Sequence, residues 1–396
     1  MMSEWITCNL EEIGEIVGGS TPSTKCECYY GGNISWITPK DLSTFNGRYI
    51  SCGERNITED GLNSCSARLL PRHSVLFTSR APIGYVAIAE KEVATNQGFK
   101  SVIPNEKIDY LFLYYLLKYN KDNIESIGSG TTFKEVSGKT MKSVLVRIPK
   151  SVNEQRKIAR ILDSIDKKIE NGAKLNRNLE EQAQTLFHDL FVKNSSNEWL
   201  KGTISDLGNV VGGGTPSKIR SEFYAKNGIP WITPKDLSIN KSKFIFHGEN
   251  DISELGLQKS SAVLMPKGTV LFSSRAPIGY IAIAACELCT NQGFKSVVPA
   301  EHIGTPFVYY FLQHNLSEIE KMASGSTFKE VSGSTMKSVP AVIPDSQTIA
   351  QFNDFCAPIF EQQRILEKQG QALASLRDSL LPRLMSGELD VSMLEI

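Results

Sequence analysis

The sequence predicts an α+β fold built twice, as two similar domains joined by a pair of long coiled-coil helices. Three observations carry this. Blocks of sequence recur at a constant offset of 195 (231 − 36): Trp36–Ser43 returns as Trp231–Ser238, Ser79–Tyr85 as Ser274–Tyr280, and Thr95–Val102 as Thr290–Val297. Thr132–Gly138 returns as Thr327–Gly333, and Thr140–Val144 as Thr335–Val339. Within each copy, short apolar runs alternate with turn-rich loops. After each copy comes a stretch of roughly 40 residues with apolar residues at heptad spacing. The implied order is a domain over 1–149, a helix over 150–195, a second domain over 196–344, and a last helix with its tail over 345–396.

In the first domain Asn9-Leu-Glu-Glu12 resembles a capping box opening a short helix. Gly18-Gly-Ser-Thr-Pro22 and Gly212-Gly-Gly-Thr-Pro216 read as turn-rich loops. Ser74–Thr78, Gly84–Ala89 and Phe99–Ile103 read as short strands, as do Thr269–Ser273, Gly279–Ala284 and Phe294–Val298. Tyr110–Tyr119 and Phe307–His314 read as helices. Val144–Ile148 and Val339–Ile343 close each domain as strands, both stopped by proline. Divergence is concentrated in 44–74 against 239–269, which suggests one frame with one altered surface.

The central helix is expected over Asn153–Lys193. Its seam runs through Ile158, Leu162, Ile165 and Ile169, weakens at Gly172 and Asn176, then resumes at Leu179, Ala183, Leu186 and Leu190. Charged residues such as Asp166, Lys167 and Glu180 are expected on the outer faces. Ile349–Leu384 offers the partner, with a seam through Phe352, Phe355, Ile359, Leu366, Leu373, Leu376 and Leu380, interrupted by Gln362 and Gln369. Helices this long exceed the average for a compact domain.

The chain has 396 residues, 41% hydrophobic and 22% charged, which is the profile of a soluble globular protein. No run approaches the roughly 18 apolar residues of a membrane span. Met1–Asn9 lacks a basic region followed by an apolar core, so no signal peptide is expected and a cytoplasmic location is. Net charge is zero, so a local basic face matters more than the total. None of the eight cysteines falls at a matching position in the other copy. Cys286-x-x-Cys289 lacks a second pair, so no metal site is expected, and the cysteines read as reduced thiols.

Catalytic patterns are missing. Gly138-Lys-Thr140 resembles the end of a phosphate-binding loop, but Phe133 stands where its earlier glycine belongs. No Asn-Pro-Pro-aromatic or Asp-Pro-Pro-aromatic sequence is present, and the five histidines do not repeat. What does repeat is polar and basic equipment on loops: Lys40 and Lys235, Arg80 and Arg275, Asn96-Gln97 and Asn291-Gln292, Lys100 and Lys295, Lys134 and Lys329, Lys142 and Lys337. Lysine and arginine neutralise phosphates or grip guanine, and asparagine and glutamine pair with adenine. The competing reading is internal: Lys40 or Arg80 bridging Asp41, and Asn96 capping a turn.

These blocks, with Gly61-Leu62, Gly130–Val136, Glu154-Gln-Arg-Lys-Ile158 and Leu380–Glu388, resemble the DNA-specificity subunit of Type I restriction–modification systems over essentially the whole chain. Gln347-Thr-Ile349 departs from the Glu-Gln-Arg run of the first helix. The resemblance implies two target-recognition domains about a pseudo-twofold axis, each reading half of a bipartite double-stranded DNA site. It implies antiparallel helices that fix the half-site spacing and dock two modification subunits. Those subunits hold S-adenosylmethionine, and motor-nuclease restriction subunits join them. The chain itself is expected to carry no cofactor and no catalysis.

Overall fold

The computed structural model describes residues 4–130, 134–325 and 329–391. The repeated Thr132-Phe133 and Thr327-Phe328, and the outermost ends of the chain, lie outside the described residues. Two compact units form. The first is Met1–Glu170 with Ala372–Ile396, and the second is Asn171–Gln371. Each unit therefore holds one repeat domain and a portion of both long helices.

The expected strands are present, displaced by about one residue. In the first unit a five-stranded sheet runs in the order Gly14–Gly18, Lys100–Pro104, Val75–Ser79, Ile83–Ala89, Tyr49–Ile50. Only the last pairing is parallel. A three-stranded sheet places Tyr30–Ile37 between Arg55–Ile57 and Ala94–Thr95, and Trp5–Asn9 pairs with Leu145–Pro149. The second unit repeats this plan, with Gly208–Gly212, Lys295–Pro299, Val270–Ser274, Ile278–Ala284 and Phe244–Ile245 in its five-stranded sheet. Val75–Ser79 and Val270–Ser274 are buried at every position, as central strands covered on both faces must be.

Helix Tyr110–Tyr119 lies against this sheet. Its cap is Asp109, whose carboxylate accepts from the Leu111 and Phe112 amides, and seven consecutive residues from Leu111 to Leu117 are buried. A helix apolar all round belongs in a core. The Asn9 capping box is present, and the Asn9 amide donates to Glu12 Oε1 at 2.6 Å.

The central helix spans Val152–Phe187 and ends in a π-helical turn, His188–Lys193; the C-terminal helix spans Ser346–Met385. In the second unit the pair is antiparallel: Asn176 bonds Glu367, and four residues on, Glu180 bonds Gln363, four residues back. In the first unit Arg377 pairs with Asp166 at 2.9 Å. There Leu384 and Met385 share a core with Ile158 and Leu162.

Three expectations are corrected here. The C-terminal seam runs through Phe352, Cys356, Ile359 and Gln363, which are buried, while Phe355 and Leu376 are 42% and 47% exposed and Gln362 and Gln369 face solvent. The alternate seam positions, Cys356, Gln363, Gly370 and Arg377, are polar or small, so apolar spacing alone fell one residue short of them. Asp166 is buried rather than outward, because Tyr115 and Arg377 both donate to its carboxylate. Cys26 and Cys28 are not free thiols. Their Cα atoms lie 5.3 Å apart, within disulfide range, and the sulfurs are bonded. Cys286 and Cys289 stay unjoined.

The Glu-Gln-Arg run has an internal role. Gln155, fully buried, donates to the Pro149 and Lys107 carbonyls and accepts from the Asp109 amide. The long helices begin 194 residues apart (346 − 152). At that offset Ile349 takes the place of Gln155 and is equally buried.

Candidate nucleic-acid interface

The repeated loops converge at one place in each unit. In the first unit Ser20 N–H donates to the Thr95 carbonyl, and Thr21 donates to the Gln97 side-chain oxygen. Trp36 Nε1 reaches the Ser20 carbonyl at 3.1 Å. Gly19 is obligatory at this junction. A Cβ on Gly19 would lie 2.1 Å from the Asn96 carbonyl oxygen. The second unit builds the same junction: Thr215 donates to Gln292, Trp231 Nε1 to the Gly214 carbonyl at 2.9 Å, and Gly213 abuts the Asn291 carbonyl.

Asn96 and Asn291 cap their own turns, accepting from the Gly98 and Gly293 amides, each at 2.9 Å. This satisfies their carboxamide oxygens locally. Arg80 and Lys100 face one carboxylate, Glu135, at 3.5 and 3.6 Å. Arg275 and Lys295 face Glu330 at 3.2 and 3.4 Å. Two cations on one carboxylate leave one positive charge uncompensated in each cluster. Arg80 and Arg275 remain 36% and 38% exposed at the side chain, whereas Lys100 and Lys295 are 16% exposed. The arginines are thus the accessible members.

Backbone bonds fix these loops to one another. Ser79 N–H donates to the Gly98 carbonyl and Val136 N–H to the Ser79 carbonyl, with Ser274 repeating both partnerships through Gly293 and Val331. Lys40 pairs with Glu54 and Lys235 with Glu249, each at 2.7 Å and well exposed. Such surface pairs contribute about 0–1 kcal/mol and open readily to another anion. Lys134, Lys329, Lys142 and Lys337 are exposed.

Sequence reasoning missed the carboxylates. Glu135 and Glu330 sit inside repeated blocks, so pairing acidic with basic residues of those blocks would have found them. Asp41, expected as the bridge to Lys40 or Arg80, pairs with neither, since Lys40 meets Glu54 and Arg80 meets Glu135; Asp41 and Asp236 instead hold the lysine loops by accepting from the Glu54 and Glu249 amides at 2.7 and 2.8 Å. Among the described residues no group of three or more His, Cys, Asp or Glu is placed to hold a metal ion, and no helix is long and apolar enough to cross a membrane.

Comparison with known proteins agrees with this duplication. The family model for the Type I restriction modification DNA specificity domain matches twice, over residues 2–181 and 196–374. The Type I restriction enzyme MjaIX specificity subunit of Methanocaldococcus jannaschii is 35% identical, covering 98% of this chain and 94% of that protein. The HindI specificity subunit of Haemophilus influenzae is 22% identical across 98% of this chain and 100% of its own length. The crystal structure of a Type I S subunit from M. genitalium shares the fold, with a TM-score of 0.67, 17% identity, and 96% of each chain covered. With the family model matching both copies and a relative similar over nearly its whole length, the chain belongs to the family of Type I restriction–modification DNA-specificity subunits.

Proposed function

We propose that each unit reads one half of a bipartite double-stranded DNA site, and that the paired helices set the distance between the halves. The observation that carries this is the identical loop cluster built twice. Thr21–Gln97 and Arg80–Glu135–Lys100 recur as Thr215–Gln292 and Arg275–Glu330–Lys295. A net positive, solvent-facing cluster suits a phosphate backbone, and its arginine suits a base edge. Lys40, Lys134, Lys235 and Lys329 surround it as phosphate contacts. Asn96 and Asn291 hold turns in this reading, while Gln97 and Gln292 brace the Thr-Pro loops beside the DNA.

The protein acts in the cytoplasm as a non-catalytic partner. Two modification subunits dock on it and hold the S-adenosylmethionine, and motor-nuclease restriction subunits complete the assembly. An electrophoretic shift against a library of bipartite duplexes, with and without the modification subunits, tests this. Selection of two separated sequence blocks supports the reading. Retention of no sequence under either condition overturns it.

A further inference from the structure

We infer that Arg55 and Asn250, at one corresponding position in the two units, make the half-sites differ: Arg55 reads a guanine and Asn250 an adenine. This rests on the DNA-reading function proposed above and assigns two of its base contacts.

The position is held in the same way in both units. Gly53-Glu54-Arg55 and Gly248-Glu249-Asn250 match at the offset of 195, inside the divergent segments. Asp41 accepts from the Glu54 amide, and Asp236 from the Glu249 amide. The glycines let the chain pass close to these carboxylates. A Cβ on Gly53 would lie 2.9 Å from Asp41 Oδ2, and one on Gly248 would lie 2.8 Å from Asp236 Cγ. Strands Arg55–Ile57 and Asn250–Ile252 then begin, with Arg55 paired to Trp36 and Asn250 to Trp231. Those tryptophans donate to the Ser20 and Gly214 carbonyls beside the Thr-Pro loops. A side chain rooted on a strand is placed more precisely than one on a loop.

Within this unchanged frame the head group differs. Arg55 and Asn250 are exposed, and neither side chain makes a hydrogen bond or ion pair among the described residues. Neither is therefore engaged by the fold. In the first unit Glu54, Arg55 and Asn56 line an open groove of about 820 Å³, with Thr24 and Tyr30 across it. Glu54 holds the Lys40 ammonium above its ordinary pKa, and Arg55 is near enough to oppose this. Lys40 and Lys235 are kept in both copies, as contacts to the phosphates of any sequence would be. Asparagine carries no charge, so this position does not neutralise phosphate in both units. A guanidinium donates two hydrogen bonds to guanine O6 and N7, whereas a carboxamide donates to adenine N7 and accepts from N6. Arginine in one copy and asparagine in the other is thus an exchange of one bidentate base reader for another.

The test is selection from a library of duplexes randomised in both halves, by the full-length chain assembled with its modification subunits. Arg55→Asn should change one base pair of the first selected block from G·C to A·T and leave the second block as it was. Asn250→Arg should change one pair of the second block from A·T to G·C. On duplexes differing only at that pair, each variant should prefer its new pair over the native one by about 5- to 150-fold in affinity. Each variant carries the residue that the other copy holds at this place, so melting curves should match the native chain. Two native blocks that neither swap alters overturn the assignment and leave the DNA-reading function standing. If Arg55→Ala weakens all duplexes alike, with discrimination intact, Arg55 is a phosphate contact and the assignment is overturned as well. Selection of no block by the native assembly refutes the proposed function itself, and this inference with it.

Discussion

Arg48 and Lys243 occupy the same position in the two copies, yet their buried charges are neutralised by different carboxylates. Arg48 reaches Asp163 at 2.5 Å and Glu170 at 2.7 Å, both on the central helix. The residues matching Asp163, Asp166 and Glu170 in the C-terminal helix are Ala357, Phe360 and Arg364, which offer no anion. Lys243 instead pairs with Glu180, donates to Gln363 at 2.9 Å, and lies 4.1 Å over the Phe360 ring. Removing one member of a buried pair costs about 3–5 kcal/mol, while removing both is often neutral. Glu180 keeps 28% of its side chain in water, so the lower end applies. Lys243→Met should therefore destabilise the second unit by about 3 kcal/mol, and Lys243→Met/Glu180→Met should recover most of that. Hydrogen exchange over 171–187 and 346–371 measures it. Equal losses in the single and double variants would show that the pair is not the cause.

Asp163 makes the first unit acid-sensitive. Burial alone would raise its carboxyl pKa, but the Lys167 ammonium and the Arg48 guanidinium outweigh burial and hold it below its ordinary value. A depressed carboxylate contributes stability above its unfolded pKa of about 3.9 and loses it as pH falls through the folded value. Glu367 behaves oppositely. Burial raises it, despite hydrogen bonds from the Phe244 and Lys243 amides, so its protonation as pH falls relieves a cost. Acidification should therefore loosen the first unit before the second. Unit-resolved hydrogen exchange from about pH 5 down to about pH 2, a window that reaches below ordinary carboxylate values, checks the order. Earlier loosening of the second unit would contradict it.

These locks mark where the sequence ceased to be legible. The duplication, the short strands and the apolar part of the central seam were readable, because Ile158, Leu162 and Ile165 declare themselves by spacing alone. The C-terminal seam was read one residue off at alternate positions, since Gln363 and Arg377 are inward for their hydrogen bonds and not for hydrophobicity. The divergent segment 44–74 was legible as divergent but not wholly as surface: Arg48, Ile50, Ile57 and Leu70 within it are buried. The loop cluster was legible as a set of repeated cations. Its carboxylates, which decide which cation stays accessible, were not.

Arg80→Ala should lower affinity for DNA bearing the first half-site by about 1–3 kcal/mol, and Arg275→Ala likewise for the second. The half-exposed ion pair with Glu135 contributes little to folding, about 0–1 kcal/mol. Thermal stability should accordingly hold while affinity falls. Fluorescence anisotropy beside a melting curve separates the two, and the reverse pattern would assign Arg80 to the fold alone.

Exchange of the divergent segment should exchange specificity. Replacing 239–269 with 44–74 leaves the Thr215–Gln292 and Arg275–Glu330 frame intact. To keep the buried pair, the graft retains Lys243. Under the function proposed above, half-sites read by two like domains are inverted when a twofold relates the domains. The chimera should therefore select the first half-site twice, in inverted orientation. Base-resolved methylation mapping of cells carrying the chimera checks this, and an unchanged second half-site would place readout in the shared loops.

The paired helices should act as a ruler. From Asp166 to Asn176 the central helix advances ten residues, and the residues they bind, Arg377 and Glu367, are likewise ten apart. An insertion placed in both intervals therefore preserves both sets of contacts. Seven residues keep the heptad phase, whereas four would rotate the seam away from its partner. Seven residues add about 10.5 Å of helix at roughly 1.5 Å each. DNA rises about 3.4 Å per base pair along each strand, so the preferred spacer should grow by about three base pairs. Those pairs also turn the second half-site by about 100°, from roughly 10.5 pairs per turn. Affinity should fall even at the best new spacing, while the recognised bases stay the same. Binding across a library of spacer lengths gives the answer, using the native chain and the doubly inserted one side by side. If the inserted chain keeps the native spacer at full affinity, the helices do not set the separation. Insertion into the central helix alone should instead break the Asn176–Glu367 and Glu180–Gln363 bonds and lower stability at every spacer.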